Sequence, residues 1–325
     1  MRYAAEKERI ERRIKIGKRI ALIVCVCLVA ALCVLSAFFS ASSWKYRVSL
    51  PAIPARKSGE MRLHFINVGQ GDATLIEFPD GQNMLVDGGS TSDTSVNALM
   101  RYLNALKIET IDQLVITHAD NDHYGGIFTV AEQKKIGKAF LPRKQETLNT
   151  SYAKLYAALI EKGVSCVYTA RNTRFEVTES VKAVCLYPYA MAEIEEDASS
   201  VLWLDYMGVS VLLTGDATAE TETLLIRDDK LGALSAYGAQ LTSTEILKVA
   251  HHGSEEATDE AFVEYIGAET AVISCGANNA YGHPSATVCD TLAAAGVATY
   301  RTDVSGHILL TIRADGTYTV ENVAA

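Results

Sequence analysis

The heptapeptide Thr117-His118-Ala119-Asp120-Asn121-Asp122-His123 sets two imidazoles and two carboxylates within six positions, directly after the apolar run Leu114-Val115-Ile116. A strand that ends in such a loop can aim all four side chains at one point. Imidazole and carboxylate together suit Zn²⁺, Mn²⁺ or iron, and carboxylate-rich sets lean toward the harder ions. The loop therefore proposes a dinuclear metal centre. Its competing reading is a polar surface turn with chance histidines, and the rest of the chain has to decide between them.

Three further segments end apolar runs in the same way. Val209-Ser210-Val211-Leu212-Leu213 leads into Thr214-Gly215-Asp216, delivering one carboxylate in a position suited to bridging two cations. Ile246-Leu247-Lys248-Val249-Ala250 leads into His251-His252-Gly253-Ser254, where one imidazole can complete a coordination shell while the other holds substrate or supports a ligand. Ala271-Val272-Ile273-Ser274-Cys275-Gly276 runs on to Asn278-Asn279-Ala280-Tyr281-Gly282-His283-Pro284. Taken singly, Gly-Asp after a strand and an Asn/Gly/Pro loop are ordinary turns. Taken together, these segments and the opening motif hold five of the seven histidines.

The order of these motifs resembles the metallo-β-lactamase fold superfamily. Within it, the chain is similar to the soluble hydrolase domain of ComEC-type DNA-uptake channels and their stand-alone relatives. Phe65-Ile66-Asn67-Val68-Gly69-Gln70-Gly71-Asp72-Ala73 and Asn83-Met84-Leu85-Val86-Asp87-Gly88-Gly89 extend the similarity, which runs from about Met61 to the C-terminus. Most of the superfamily has His-x-His-x-Asp-His, whereas this chain has Asp120 in place of the second His, as the ComEC-like branch does. An anionic oxygen there favours Mn²⁺ or another hard cation over Zn²⁺. The histidine that elsewhere serves the first metal has no counterpart in Glu195-Glu196-Asp197-Ala198-Ser199-Ser200.

The resemblance implies two divalent metal ions, Zn or Mn. His118, Asp120 and Asp216 are expected around one, and Asp122, His123, Asp216 and His251 around the other, with a shared water or hydroxide as nucleophile. His252 or His283 would donate to the developing oxyanion or the leaving group, so that Asp122, His252 and His283 form the catalytic set. Asp72 and Asp87 read as supporting or turn residues.

The elements that must carry these loops alternate. Short β runs are predicted at 61–68, 73–78, 83–86, 113–117, 164–168, 180–187, 199–205, 209–214, 246–250, 271–274, 298–302 and 307–312. Helices are predicted near 96–106, 152–161, 219–227, 255–265 and 285–295. That alternation predicts an α/β domain. The resemblance implies its architecture: two mixed sheets face to face with helices outside, a four-layer αββα sandwich.

Before that domain the chain has a different character. Eight Lys or Arg against three Glu occupy residues 1–19, a basic tail, and an uncharged apolar run follows at 20–40, long enough to cross a hydrocarbon core of roughly 30 Å. It reads as a transmembrane helix with its basic flank cytoplasmic and the remainder exported to the extracytoplasmic side. A cleaved signal peptide is the alternative, disfavoured because the apolar run exceeds the roughly 7–15 residues of a signal core. Residues 41–60 read as a linker and 61–325 as the hydrolase domain.

Charge restrains the functional reading. The chain carries −9 overall and its first nineteen residues +5, so the remainder carries −14. That is not the basic footprint of a protein that grips duplex DNA. Lys134, Lys135, Lys138, Arg143 and Lys144 form the one notable basic cluster after the anchor, which reads equally as a solvated loop. Of seven cysteines, Cys25, Cys27 and Cys33 fall in the apolar run, and Cys166, Cys185, Cys275 and Cys289 show no CxxC spacing and read as buried thiols, with one or two disulfides in an oxidising compartment as the alternative.

Three functions stay open. The first, to which the resemblance points, is a membrane-tethered metal-dependent phosphodiesterase or nuclease acting on DNA. The second is a hydrolase of a small phosphoester, ester or lactam-like compound, which suits the acidic balance better. The third is a non-catalytic binding module that keeps the motifs only for folding.

Overall fold

The protein is described by a computed structural model covering residues 2–38, 41–142, 150–189 and 198–324. Arg143, Lys144, Glu195, Glu196 and Asp197 lie outside the described residues. The chain divides into two compact units, residues 1–48 and 49–325.

The first unit contains helix α1 (Arg2–Phe38), in which residues 2–19 of the basic tail and 20–38 of the apolar run form one continuous helix. Its stretch Glu6–Val34 has mean hydropathy 2.3 in its most apolar window and is long and apolar enough to cross a membrane. Residues 49–60, expected as linker, lie in the second unit. Arg56 hydrogen-bonds the Phe78 carbonyl, Arg62 Nη1 donates to Pro54 O at 2.7 Å, and Tyr206 Oη donates to Gly59 O at 2.6 Å.

The second unit is built on two mixed sheets. The first is formed by β1 (Met61–Phe65), β2 (Thr74–Glu77), β3 (Asn83–Val86), β4 (Thr110–Val115), β5 (Lys135–Leu141) and β6 (Ser165–Tyr168). The second holds β7 (Val181–Tyr187), β8 (Val201–Tyr206), β9 (Val209–Leu213), β10 (Thr244–Lys248), β11 (Thr270–Ile273) and β12 (Ala298–Arg301). The last two strands, β13 (His307–Ile312) and β14 (Tyr318–Val323), return to the first sheet, giving the orders β14-β13-β1-β2-β3-β4-β5-β6 and β12-β11-β10-β9-β8-β7. β3 to β6 are mutually parallel, as are β9 to β12.

Side-chain alternation explains how both faces of a strand are buried. On β9, Val209, Val211 and Leu213 join Met61, Leu63 and Phe65 of β1 and Ile308, Leu310 and Ile312 of β13 between the sheets. Leu212 points instead to the outer core, with Trp203, Leu225 and Phe262. The outer face of the second sheet is covered by α6 (Ala219–Lys230), α7 (Glu260–Ile266) and α8 (Ala286–Ala294). On the first sheet's side lie α2 (Asp93–Ala105), α3 (Asn121–Tyr124), α4 (Ile127–Gln133) and α5 (Thr150–Glu161), and α9 (Thr302–Ser305) precedes β13. This is the αββα sandwich that the resemblance implies.

Two strands lie outside the predicted set. The segment with Lys135 and Lys138 is strand β5, paired between β4 and β6, because backbone pairing on both sides outweighs its polar composition. The Lys134 side chain is buried, with Nζ 2.8 Å from Asn104 Oδ1 and 3.4 Å from Glu109 Oε1, and Lys138 pairs with Glu176 at 2.7 Å. Among the described residues this cluster is therefore neither a loop nor an open basic patch. β14 is a half-exposed edge strand whose apolar alternation is weak.

Candidate metal centre

The site collects where parallel strands of both sheets end. β4 leads into Thr117 and the His118–His123 loop, β9 into Asp216, and β10 into the turn carrying His251 and His252. Both histidines of that turn have positive φ, 48° and 55°, which swings their rings toward Asp216 instead of along the strand.

The first loop is fixed from beneath by Asp87. Its Oδ1 accepts the Thr117 N–H at 2.8 Å, and its Oδ2 lies 2.7 Å from Thr117 Oγ1 and 2.9 Å from His123 Nδ1. With Nδ1 so engaged, His123 turns Nε2 toward Asp216 Oδ1, 3.3 Å away. His252 is oriented likewise: Nδ1 donates to the Ser274 carbonyl at 2.9 Å, so Nε2 faces Asp122 at 3.3 Å and Asp216 at 3.6 Å. His118 Nε2 stands 3.7 Å from both Asp120 and Asp216. His251 Nε2 is 3.8 Å from Asp216. Asp216 thus has four imidazoles around it.

These spacings fit cation binding. Two donor atoms held at about 2.0–2.2 Å by one tetrahedral cation lie roughly 3.4 Å apart. Among the described residues, His123 Nε2, His252 Nε2 and Asp216 Oδ1 are buried without a hydrogen-bond partner. Buried polar atoms are rarely left so, and three of them pointing at one volume match the donor set of a metal site. Asp72, His123, Asp216 and His252 each offer a ligand atom within 4.8 Å of the others.

The electrostatics agree. Burial works to raise the Asp216 carboxyl, but the charges of His123 and His252 outweigh it and hold it well below its ordinary value. Burial likewise works to lower His123, and the carboxylates of Asp216 and Asp87 overcome it, driving the imidazole well up. The field that would bind a proton at these nitrogens is the field that would bind a cation. Asp122 is held down to about 2: burial opposes this, and the adjacent His252 imidazole together with the charge of His123 prevails.

Two contributors are under-read or missed in the sequence. Asp72 is part of the cluster, and its carboxylate pairs with the ammonium of Lys248, both side chains being buried. Lys248 ends an apolar strand, where nothing in the local sequence marks it. Gly71 brings this segment against the first loop: a methyl group at its Cα would overlap the Asp122 carbonyl, which already accepts the Asp72 N–H at 3.1 Å. Ser199, in the stretch without a histidine, accepts the Asp216 N–H at 2.9 Å and lies 3.5 Å from His118 Nδ1. Each of the expected site residues His118, Asp120, Asp122, His123, Asp216, His251, His252 and His283 lies in or beside this constellation. His283 is at its mouth, with Nδ1 3.4 Å from Gln70 Nε2 and its ring 5.6 Å from that of His251.

Known proteins are similar to this chain in sequence and in fold. A family model, Metallo-beta-lactamase superfamily, matches residues 66–277. ComE operon protein 3 of Bacillus subtilis is 30% identical over 267 residues, a match covering 77% of this chain and 33% of that protein. Competence protein ComA of Neisseria gonorrhoeae is 28% identical over 241 residues, covering 74% of this chain and 30% of that protein. The chain spans about a third of the length of these curated relatives. Among solved structures, CmlA, a diiron β-hydroxylase from Streptomyces venezuelae, superposes with a TM-score of 0.50 at 15% identity, over 80% of this chain and 55% of that one. That likeness concerns the fold alone.

Proposed function

Because the chain belongs to the metallo-beta-lactamase superfamily, whose fold binds divalent metal ions, we propose that it is a dinuclear metal-dependent phosphodiesterase acting on DNA and tethered by α1. The observation that carries the reading is the ring of four imidazoles around Asp216, with the buried Nε2 atoms of His123 and His252 lacking a hydrogen-bond partner among the described residues. The relatedness to competence proteins favours nucleic acid as substrate.

In this reading His118, Asp120 and Asp216, with His251 beside them, would hold one ion, and Asp122, His123, Asp216 and His252 the other. His252 takes a ligand role because its Nδ1–H is spent on Ser274, leaving Nε2 as a lone-pair donor. Held there, divalent ions would supply Lewis acidity and a lowered pKa for water near neutral pH. The protein's own part is to aim and to move protons. Asp87 and Ser274 fix two ring orientations, and Lys248 neutralises Asp72. Gln70 donates to His283 Nδ1, which leaves the proton on Nε2 available to a departing oxygen.

The basic end of α1 would stay in the cytoplasm, residues 20–40 would cross the bilayer, and the catalytic unit would face the other side. A small phosphoester remains the second reading, favoured by the −14 charge outside the basic tail. One experiment tests both. The full chain in detergent is assayed for bound metal and for Mn²⁺- and Zn²⁺-dependent cleavage of single- and double-stranded DNA, a generic phosphodiester and a β-lactam. Cleavage of DNA that is lost with bound metal in Asp122→Ala supports the proposal; turnover of a small ester without any cleavage of DNA replaces it with the second reading.

A further inference from the structure

Beside the metal centre lies an open cleft of about 440 Å³, walled by His251, Glu255, Glu256, Tyr281 and His283. Tyr281 is 73% exposed although the loop that carries it is well braced. Asn279 Oδ1 accepts the N–H groups of Tyr281 and His283, both at 3.0 Å, and Asn279 Nδ2 donates to Gly276 O at 2.9 Å. The loop is also locked to the turn of the two cluster histidines. Ser285 N donates to Gly253 O at 2.8 Å, and a methyl group on Gly253 would stand 2.6 Å from Pro284 Cβ.

That bracing sets three rings in a stepped, near-parallel series. Tyr281 and His283 have centroids 5.7 Å apart and planes 26° apart, and His283 and His252 follow at 6.2 Å and 29°. The series leads from solvent to the cluster. A flat exposed ring held at fixed tilt offers a stacking face for another flat ring. Glu255 and Glu256, on the same cleft, disfavour a further phosphate but accept hydrogen bonds from exocyclic amines.

We propose that Tyr281 and the cleft beside it form a stacking platform for an unpaired nucleobase, adjoining the phosphate presented to the metal centre. This rests on the phosphodiesterase reading and narrows its substrate to single-stranded or locally unpaired nucleic acid, because a base stacked within a duplex has no free face. Tyr281 is then a positioning residue: it acts on where the strand lies, not on the reacting atoms.

The test uses the full chain in detergent and single-stranded oligonucleotides that carry 2-aminopurine or an abasic site next to the scissile linkage. The wild-type chain is expected to quench 2-aminopurine on binding and to show a KM about tenfold lower for the base-bearing strand than for the abasic one, the scale of one base–aromatic stack. Tyr281→Ala should abolish both the quench and the discrimination, and Tyr281→Phe should restore them. Unchanged quenching and discrimination in Tyr281→Ala would overturn the platform. Because quenching is read at equilibrium, its loss in Tyr281→Ala supports the platform even if the wild-type chain cleaves no nucleic acid, an outcome that refutes the phosphodiesterase reading alone.

Discussion

His123 Nδ1 stands 2.9 Å from Asp87 Oδ2, and this contact decides which nitrogen of His123 faces Asp216. The same carboxylate accepts from the N–H and the hydroxyl of Thr117, the residue on which the His118–His123 loop begins. Asp87→Asn keeps the size but removes the charge that anchors the ring. It is expected to weaken metal affinity or activity by about 10–100-fold, the usual effect of losing such a partner. Competition against a graded chelator series checks it, and wild-type affinity in the variant would remove Asp87 from the design of the site.

Lys248 and Asp72 are both buried, and removal of Lys248 leaves Asp72 facing His123 and His252, each 4.0 Å away. Lys248→Met should destabilise the metal-free protein by about 3 kcal/mol, the lower end of the cost of breaking a buried pair. Added Mn²⁺ should recover part of the loss, because a cation near Asp72 offsets the charge. Urea unfolding with and without metal reads both effects; an unchanged midpoint without metal would mean that the pair contributes nothing.

His307 gives stability an acid limit. Burial, reinforced by the charge of His64, lowers it to about 4, and its Nδ1 accepts the Asn67 N–H at 3.0 Å, which it can do only when that nitrogen is unprotonated. The unfolded chain takes up this proton near the ordinary value of 6.5, and the folded chain not until about 4. Stability from this group is therefore present above pH 6.5 and lost as the pH falls toward 4, up to about 3 kcal/mol at about 1.4 kcal/mol per unit. Unfolding of His307→Gln at a series of pH values should show a shallower loss across that window; an equal slope would refute the assignment.

Glu222 has the opposite sign. Burial pushes its carboxyl up to about 8, the nearby Asp259 adds to this, and Thr258 donates to both of its oxygens, through N at 2.7 Å and Oγ1 at 3.1 Å. Thr258 Oγ1 in turn accepts the Ala250 N–H at 3.3 Å, one residue before His251. The unfolded carboxyl ionises near 4.5, so this contribution is complete below that value and is lost as the pH rises through 8. Glu222→Gln should gain stability relative to the wild-type chain between about pH 5 and about 9; a constant difference across that range would count against a neutral buried carboxyl.

What the sequence disclosed about the site follows from how local each signal is. His118 to His123, Asp216 and the His251-His252 pair each follow an apolar run, so a strand and its polar terminus are visible together. The pairing of Lys248 with Asp72 joins two sheets and has no local signature. Which way the rings of His251 and His252 turn is equally hidden, since it depends on positive φ and, for His252, on the Ser274 carbonyl. In the fold, alternation reveals most strands, but β5 carries lysines and a glycine and is identified only by its neighbours β4 and β6.

The acids and imidazoles around Asp216 are divided between the two sheets, the His118–His123 loop belonging to one and Asp216 with His251 and His252 to the other. Neither half holds the whole cluster. Ions captured there would rivet the layers together, and chelation should then loosen the seam before it unravels either sheet.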